Sequence, residues 1–228
     1  MIPITVVSAT RYGERDFFAK AALGRSLSAT YAQFPVSRRI YFENRRALAA
    51  CYNDAIAHTA NPDEILMFAH DDVHILDFYW IDKLMAGLER FDCVGLAGNK
   101  RRVPKQPNWA FIDAKFTWDD RSNLSGVVGH GTQFPCQLSV FGPVWQQCKL
   151  LDGLLLAAKR KAFNNKGGFG FDESFDFHLY DVDLCRQIES NGLTMGTIPL
   201  AVMHEGTSRC GSPPWQVNYE RYLKKWRE

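Results

Sequence analysis

Three stretches of this sequence pair chemically capable residues with a setting that would hold them. The first is Ile65-Leu66-Met67-Phe68-Ala69-His70-Asp71-Asp72-Val73, an apolar run that ends abruptly in two carboxylates. Adjacent carboxylates repel each other unless a cation neutralises them. Hard oxygen ligands at a strand end suit magnesium or manganese, held jointly with a diphosphate. The second is Leu151-Asp152-Gly153-Leu154-Leu155-Leu156, followed by Gly167-Gly168-Phe169 and by Tyr180-Asp181-Val182-Asp183-Leu184-Cys185-Arg186. An aspartate at a helix N-terminus is kept ionised by backbone N–H groups and the dipole, and it can then take a proton from a hydroxyl. The third is Ala201-Val202-Met203-His204-Glu205-Gly206-Thr207-Ser208, where an apolar strand delivers a histidine able to bind metal through one ring nitrogen. Each has a plainer reading: an acidic turn for Asp71-Asp72, a helix cap for Asp181 and Asp183, and a satisfied core histidine for His204.

The surrounding patterns say what would carry these residues. Ile4 to Ala9 is a β-branched apolar run that reads as a buried strand opening into Ser8-Ala9-Thr10. Arg39 to Phe42 predicts a second strand, and Arg46 to Thr59 an amphipathic helix with Leu48, Ala49, Tyr52, Ile56 and Ala57 on one side. After the Asn61-Pro62-Asp63 turn come a strand over Glu64 to Ala69, a helix over Phe78 to Phe91 and a strand over Cys93 to Ala97. This alternation predicts a mostly parallel sheet covered by helices. Arg101 to Thr132 is rich in Pro, Asn, Asp, Gly and Trp, which suggests a functional excursion or lid. Order returns with a strand over Leu154 to Ala158, a glycine-rich turn at Lys166 to Gly170 and a helix over Asp181 to Ser190. A last strand then runs from Thr197 to Met203, and a short tail helix covers Val217 to Glu228.

The chain has 228 residues and a formal charge of +2, too small a surplus to argue for nucleic acid or a membrane surface. Basic pairs and triplets at Arg38-Arg39, Arg45-Arg46 and Lys100-Arg101-Arg102 are either solvated loop ends or phosphate contacts. The six cysteines include no C-x-x-C pair, so a zinc ribbon is not expected and a reducing cytosol fits best. No run approaches the ~20 apolar residues needed to cross a bilayer. The first residues lack the features of a signal peptide. A cytoplasmic location, with any membrane association peripheral, is the expectation.

The order of the three stretches resembles the GT-A glycosyltransferases, in particular the large family-2-like group of inverting enzymes. Their pattern is a hydrophobic strand into Asp-x-Asp, then Gly-Gly-Phe-Asp-Glu, then Glu-Asp-x-Asp-Leu-x-x-Arg. Here the last two read Gly168-Phe169-Gly170-Phe171-Asp172-Glu173 and Tyr180-Asp181-Val182-Asp183-Leu184-Cys185-Arg186. Leu48 to Ile56 is similar to the stretch that precedes the Asp-x-Asp strand, and the likeness spans Ile4 to Ser208. Two positions depart from the pattern: His70 stands where the first Asp is usual, and Tyr180 where the Glu is usual.

The resemblance implies a single-domain α/β fold of GT-A type, Rossmann-like with flanking helices. It would comprise a nucleotide-binding half over 1–100, an acceptor and catalytic half over 101–210 and a tail helix over 211–228. It implies a metal-dependent transferase that moves a sugar from a nucleotide-diphosphate sugar, foremost a UDP-sugar, to a glycan, lipid-linked or small-molecule acceptor. Ser8, Ala9 and Thr10 would line the base and ribose, and Asp71 the ribose or diphosphate. Asp72 would bind Mn2+ or Mg2+, with His204 as second ligand. Asp152 and Gly153 would border the donor sugar and acceptor, and Asp181 would be the catalytic base. Aromatic residues between Trp109 and His130, and Trp145, are candidates for stacking on acceptor sugar rings.

Two other functions fit parts of the pattern. His70-x-Asp72-x-His74, if it alternates along a strand, would present three ligands to one side as in a metallohydrolase or nucleotidyltransferase. The departures at His70 and Tyr180 would suit a binding module that recognises a nucleotide or glycan without turnover.

Overall fold

The computed structural model describes residues 2–30, 36–206 and 210–228. Strand β1 (Ile4–Ala9) runs into two short helices, α1 (Glu14–Lys20) and α2 (Ala22–Thr30), then β2 (Ser37–Tyr41) and α3 (Leu48–Ala57). Strand β3 (Ile65–Ala69) is followed after a turn by β4 (Val73–Ile75), α4 (Trp80–Leu88), β5 (Cys93–Gly95) and β6 (Ala97–Asn99). A long loop leads to β7 (Leu124–His130) and β8 (Gln137–Gly142), then the short β9 (Gln147–Cys148) and β10 (Leu150–Leu151), and β11 (Leu155–Lys159). Helix α5 (Tyr180–Ser190), β12 (Met195–Thr197), β13 (Val202–His204) and α6 (Pro213–Trp226) complete the chain.

The strands form two sheets. The first has the order β2-β1-β3-β11-β5-β12-β9, and the second β10-β6-β7-β13-β4, with β8 paired to β7. The fold is α/β, but the first sheet is mixed rather than mostly parallel. β1 runs parallel to β2 and β3, whereas β11 enters antiparallel between β3 and β5. Every residue of β3 is buried, as expected for a central strand covered on both sides.

Two expected strands are each divided between the sheets. The run from Cys93 to Ala97 becomes β5 in the first sheet and β6 in the second, with Leu96 between them. The run from Thr197 to Met203 becomes β12 and β13, with Ile198 to Ala201 between them. Pro199 has no N–H to continue a ladder there. This second break carries His204 out of the first sheet and sets it opposite Val73, directly after Asp72.

The helices follow their apolar stripes. Leu48, Ala49, Cys51, Tyr52, Ala55 and Ile56 bury one side of α3, and Trp80, Leu84 and Leu88 one side of α4. The Ser212 hydroxyl caps α6 by accepting from Trp215 N at 3.4 Å, with prolines filling the first two helical positions. The loop from Lys100 to Asp120 is tied down rather than free. Asn99, Arg101 and Asn123 all bond to the buried Asp119 carboxylate, and Phe111 pairs with Trp118. The expected excursion thus ends sooner than 132, because Leu124 to His130 is a strand of the second sheet.

Candidate active site

The ends of β1, β3, β11 and β13 and the start of α5 bring the predicted residues together. His204 Nε2 lies 3.3 Å from Asp72 Oδ2. The register of β13 on β4 fixes this approach, and Glu205 N donates to Asp72 O at 2.9 Å just beyond it. Burial alone would raise the Asp72 pKa. The hydrogen bond from His204 leads the influences that reverse this, and Asp72 is held below its usual range. For His204, burial works toward the neutral form, but Asp72 and Asp152 outweigh it and its pKa is raised. The other Asp72 oxygen, Oδ1, is buried with no hydrogen-bond partner among the described residues. A Cβ on Gly206 would fall within 2.6 Å of His204 Nε2 and against Asp72 Oδ2, so the absent side chain keeps this space open. An imidazole and a carboxylate with a spare buried oxygen form a donor pair that fits Mn2+. Among the described residues no set of three or more His, Cys, Asp or Glu side chains could hold a metal by itself.

Asp181 sits in the first turn of α5, introduced by Leu179 in the left-handed region at φ 62°. Its Oδ2 accepts from Gly153 N at 3.0 Å and its Oδ1 from Val182 N at 2.9 Å. Burial, reinforced by the negative charge of Asp152, pushes its pKa up to about 6 despite these bonds. Ionisation on the approach to neutral pH is what a general base requires.

On the donor-expected side, Thr10 Oγ1 donates to Asp71 Oδ2 at 2.6 Å, linking the ends of β1 and β3. Burial raises the Asp71 pKa, and the Thr10 bond opposes this. Ser8 is fully buried and its hydroxyl has no partner among the described residues, while Ala9 is partly exposed at the strand end. Asp152 Oδ2 accepts from Trp109 Nε1 at 2.7 Å and its Oδ1 from Leu154 N at 2.9 Å.

Other sequence candidates fall elsewhere. Asp183 points away from Asp181, into α6, where it accepts from Trp226 Nε1 at 2.8 Å and faces Lys225 at 2.7 Å. Arg186 bonds Glu228 and stacks over Trp226. The acidic-helix motif therefore splits into one residue facing the Gly153 turn and an anchor for the tail helix. His70, Asp72 and His74 do not alternate along a strand. Asp71 and Asp72 form a turn between β3 and β4, His70 is bonded to Tyr180, and His74 senses Arg25 and Glu205. Arg101 and Arg102 are taken up by Asp119, Glu189 and Glu228, so that basic cluster is structural. Arg90 lies over the Trp145 ring. Thr207 and Ser208 lie outside the described residues.

Three contributors were not individually expected: Gly206, Trp109 as the partner of Asp152, and Tyr180. Tyr180 Oη lies 2.7 Å from His70 Nε2 and donates to Gly153 O at 2.9 Å. The two departures from the family-2-like pattern thus touch each other. Their joint occurrence was the one available signal.

No family model matches this chain, and no curated protein matches it by sequence. Among solved structures, a mannosyltransferase from Pyrobaculum calidifontis, in complex with GDP-Man and Mn2+, is 14% identical. The match covers 100% of this chain and 65% of that one, with a TM-score of 0.53. The catalytic domain of Drosophila β1,4-galactosyltransferase 7, in complex with xylobiose, is 12% identical over 96% of this chain and 80% of that one, with a TM-score of 0.52. GalNAc-T7, with UDP, GalNAc and Mn2+, is 13% identical over 98% of this chain and 48% of that one, with a TM-score of 0.55. The chain thus spans less than two thirds of the first and third of these proteins. At such identities the likeness shows the fold, which is that of the GT-A glycosyltransferases.

Proposed function

We propose that this chain is a divalent-cation-dependent glycosyltransferase that moves a sugar from a nucleoside-diphosphate donor to an acceptor hydroxyl with inversion. What supports it most is one juxtaposition. Asp72 and His204 form a carboxylate–imidazole pair with a spare buried oxygen, and His70 of the same turn is bonded to Tyr180, the neighbour in α5 of the desolvated Asp181, which two backbone N–H groups hold. Asp72 and His204 would hold Mn2+ or Mg2+ together with the donor diphosphate, and the bound cation would offset the charge growing on the leaving group. Asp71, steadied by Thr10, would offer its carboxylate to the base or ribose beside the partly exposed Ala9, whereas the fully buried Ser8 does not reach that surface. Asp152, steadied by Trp109, borders the sugar. Asp181 removes the acceptor proton as the hydroxyl attacks the anomeric carbon from the face opposite the diphosphate, a contribution of ~10²–10⁴-fold in rate. The neighbours bearing GDP-Man, or UDP and GalNAc, with Mn2+ make nucleotide-sugar donors the first panel to try. No helix among the described residues is long and apolar enough to cross a membrane, so the acceptor is sought among soluble and surface-presented hydroxyls.

The test is calorimetric titration of sugar nucleotides with and without Mn2+, alongside product analysis with and without acceptors. Removing a metal ligand costs no less than the ~10–100-fold typical of groups one shell further out, so Asp72→Ala should lose at least that in metal-stimulated donor affinity. Metal-stimulated affinity unchanged in Asp72→Ala would refute the pairing. Binding without product over a broad acceptor set would favour the non-catalytic module, and hydrolysis without an acceptor the hydrolase.

A further inference from the structure

The hydrogen bonds around Gly153 interlock. Tyr180 has one O–H and spends it on Gly153 O at 2.9 Å. At 2.7 Å its oxygen can then only accept from His70, which makes His70 Nε2–H the donor of this bond. His70 N also donates to Leu154 O at 3.1 Å, so the end of β3 grips the same turn through backbone as well as side chain. From the other side, Asp181 takes Gly153 N–H at 3.0 Å. Two consecutive residues of α5 therefore hold both polar groups of one glycine. A Cβ at position 153 would lie 2.8 Å from Tyr180 Cζ and 2.9 Å from Asp181 Cβ, so the grip requires glycine.

We propose that Tyr180, oriented by His70, is a positioning residue that clamps Gly153 and thereby keeps its N–H aimed at the Asp181 carboxylate. This rests on the reading of Asp181 as the base. The Tyr180 ring has no freedom to do otherwise. It is 2% exposed and wedged against Tyr52 and Phe171, and the left-handed Leu179 sets its entry into the helix. Without Tyr180 Oη, Gly153 O and His70 Nε2–H both lose their partner, and the turn is free to rotate its N–H off Asp181. The groups facing this junction are Asp152 from the turn, His70 and Asp72 from the end of β3, and Tyr52 from α3. Asp152 is the neighbouring charge that raises the Asp181 pKa, and Asp181 in turn acts on Tyr180 and on Cys185 of its own helix.

The experiment compares wild type with Tyr180→Phe, His70→Ala and His70→Gln. A displacement near 1 Å costs about 10²-fold in rate, so Tyr180→Phe should lower kcat about 10–100-fold with donor KM nearly unchanged. The acidic limb of its pH–rate profile should move to higher pH, because an N–H bond that favours the carboxylate has been weakened. His70→Gln, whose amide N–H reaches about as far as Nε2, should recover most of what His70→Ala loses. A purely structural bond would show neither the limb shift nor the glutamine rescue. The readout independent of turnover is the ¹³C-carboxyl titration of Asp181, identified by its absence in Asp181→Asn. Its midpoint should rise in Tyr180→Phe, or in His70→Ala relative to His70→Gln should the tyrosine variant not fold. An unmoved midpoint overturns the proposal whatever the rate. A shifted midpoint in a protein that transfers no sugar upholds the clamp and refutes the transferase reading instead.

Discussion

Replacing Asp181 by asparagine should make the protein more stable while removing transfer, and the gain should grow as pH rises above about 4 and be complete above about pH 6. Holding a carboxyl at about 6 in the folded chain, against an ordinary 3.8, costs its ionised form about 3 kcal/mol. Below about pH 4 the group is protonated in both states and nothing is lost. As pH rises from about 4 to about 6 the unfolded chain releases its proton first, so the folded state loses stability, and above that the deficit is complete. Asparagine removes this titration but has one acceptor oxygen where Asp181 uses two, for Gly153 N and Val182 N. One backbone N–H then faces an NH2 group, at a cost of about 1 kcal/mol. The net gain is about 2 kcal/mol near pH 8, and about 4–8 °C in Tm for a domain of this size. Near pH 4 it should vanish or change sign. Scanning calorimetry of both proteins across this range, without metal, measures it. An increment equal at both ends of the range, or absent at the alkaline end, would refute the claim that Asp181 is a desolvated charge. Donor binding should persist in the variant.

Three further outcomes are expected. Wild-type kcat should climb as pH passes about 6, where Asp181 ionises, and a flat profile from about 5 to 8 would contradict its role as base. Gly206→Ala should weaken Mn2+ binding by about tenfold or more with little change in Tm, since the new methyl intrudes between His204 Nε2 and Asp72 Oδ2 at the site rather than in the core. Metal titration by calorimetry decides it, and undiminished affinity counts against the pair. Asp183→Asn should lower stability by about 2 kcal/mol because Lys225 loses its buried partner, while donor affinity holds. Thermal melts that stay within about a degree of wild type would show that the α6 contact contributes little.

Most of the elements were legible because their signals are local. The all-apolar β3 before Asp71-Asp72, the stripe of α3 and the acidic first turn of α5 each sit in contiguous residues. The convergence of Asp72 with His204 followed from strand order and a resemblance, and β13 pairing with β4 makes it physical. The mixed character of the first sheet was not legible. Strand direction depends on where β11 inserts, and Leu155 to Lys159 has the same apolar look in either direction. The splitting of two strands between sheets was hidden for a similar reason, although Pro199 was a usable hint. Helices α1 and α2 carry Phe17, Leu23 and Leu27 on buried positions, but a change of backbone direction at Ala21 breaks their periodicity into pieces too short to stand out. At the site, a tyrosine in place of an acidic residue reads as a lost function from letters alone. Only distances reveal that it meets the other anomalous residue.

The partition of α5 has a practical consequence. Asp181 and Asp183 are two residues apart and point to different sides of one helix, one toward Gly153 and the other into Trp226 and Lys225. Glu228 adds further moorings by accepting from Arg186, Arg102 and Lys105 N. Trimming or crowding α6 therefore tugs on the same rod that carries Asp181. A change that loosens α6 is expected to be felt in any assay that reads Asp181.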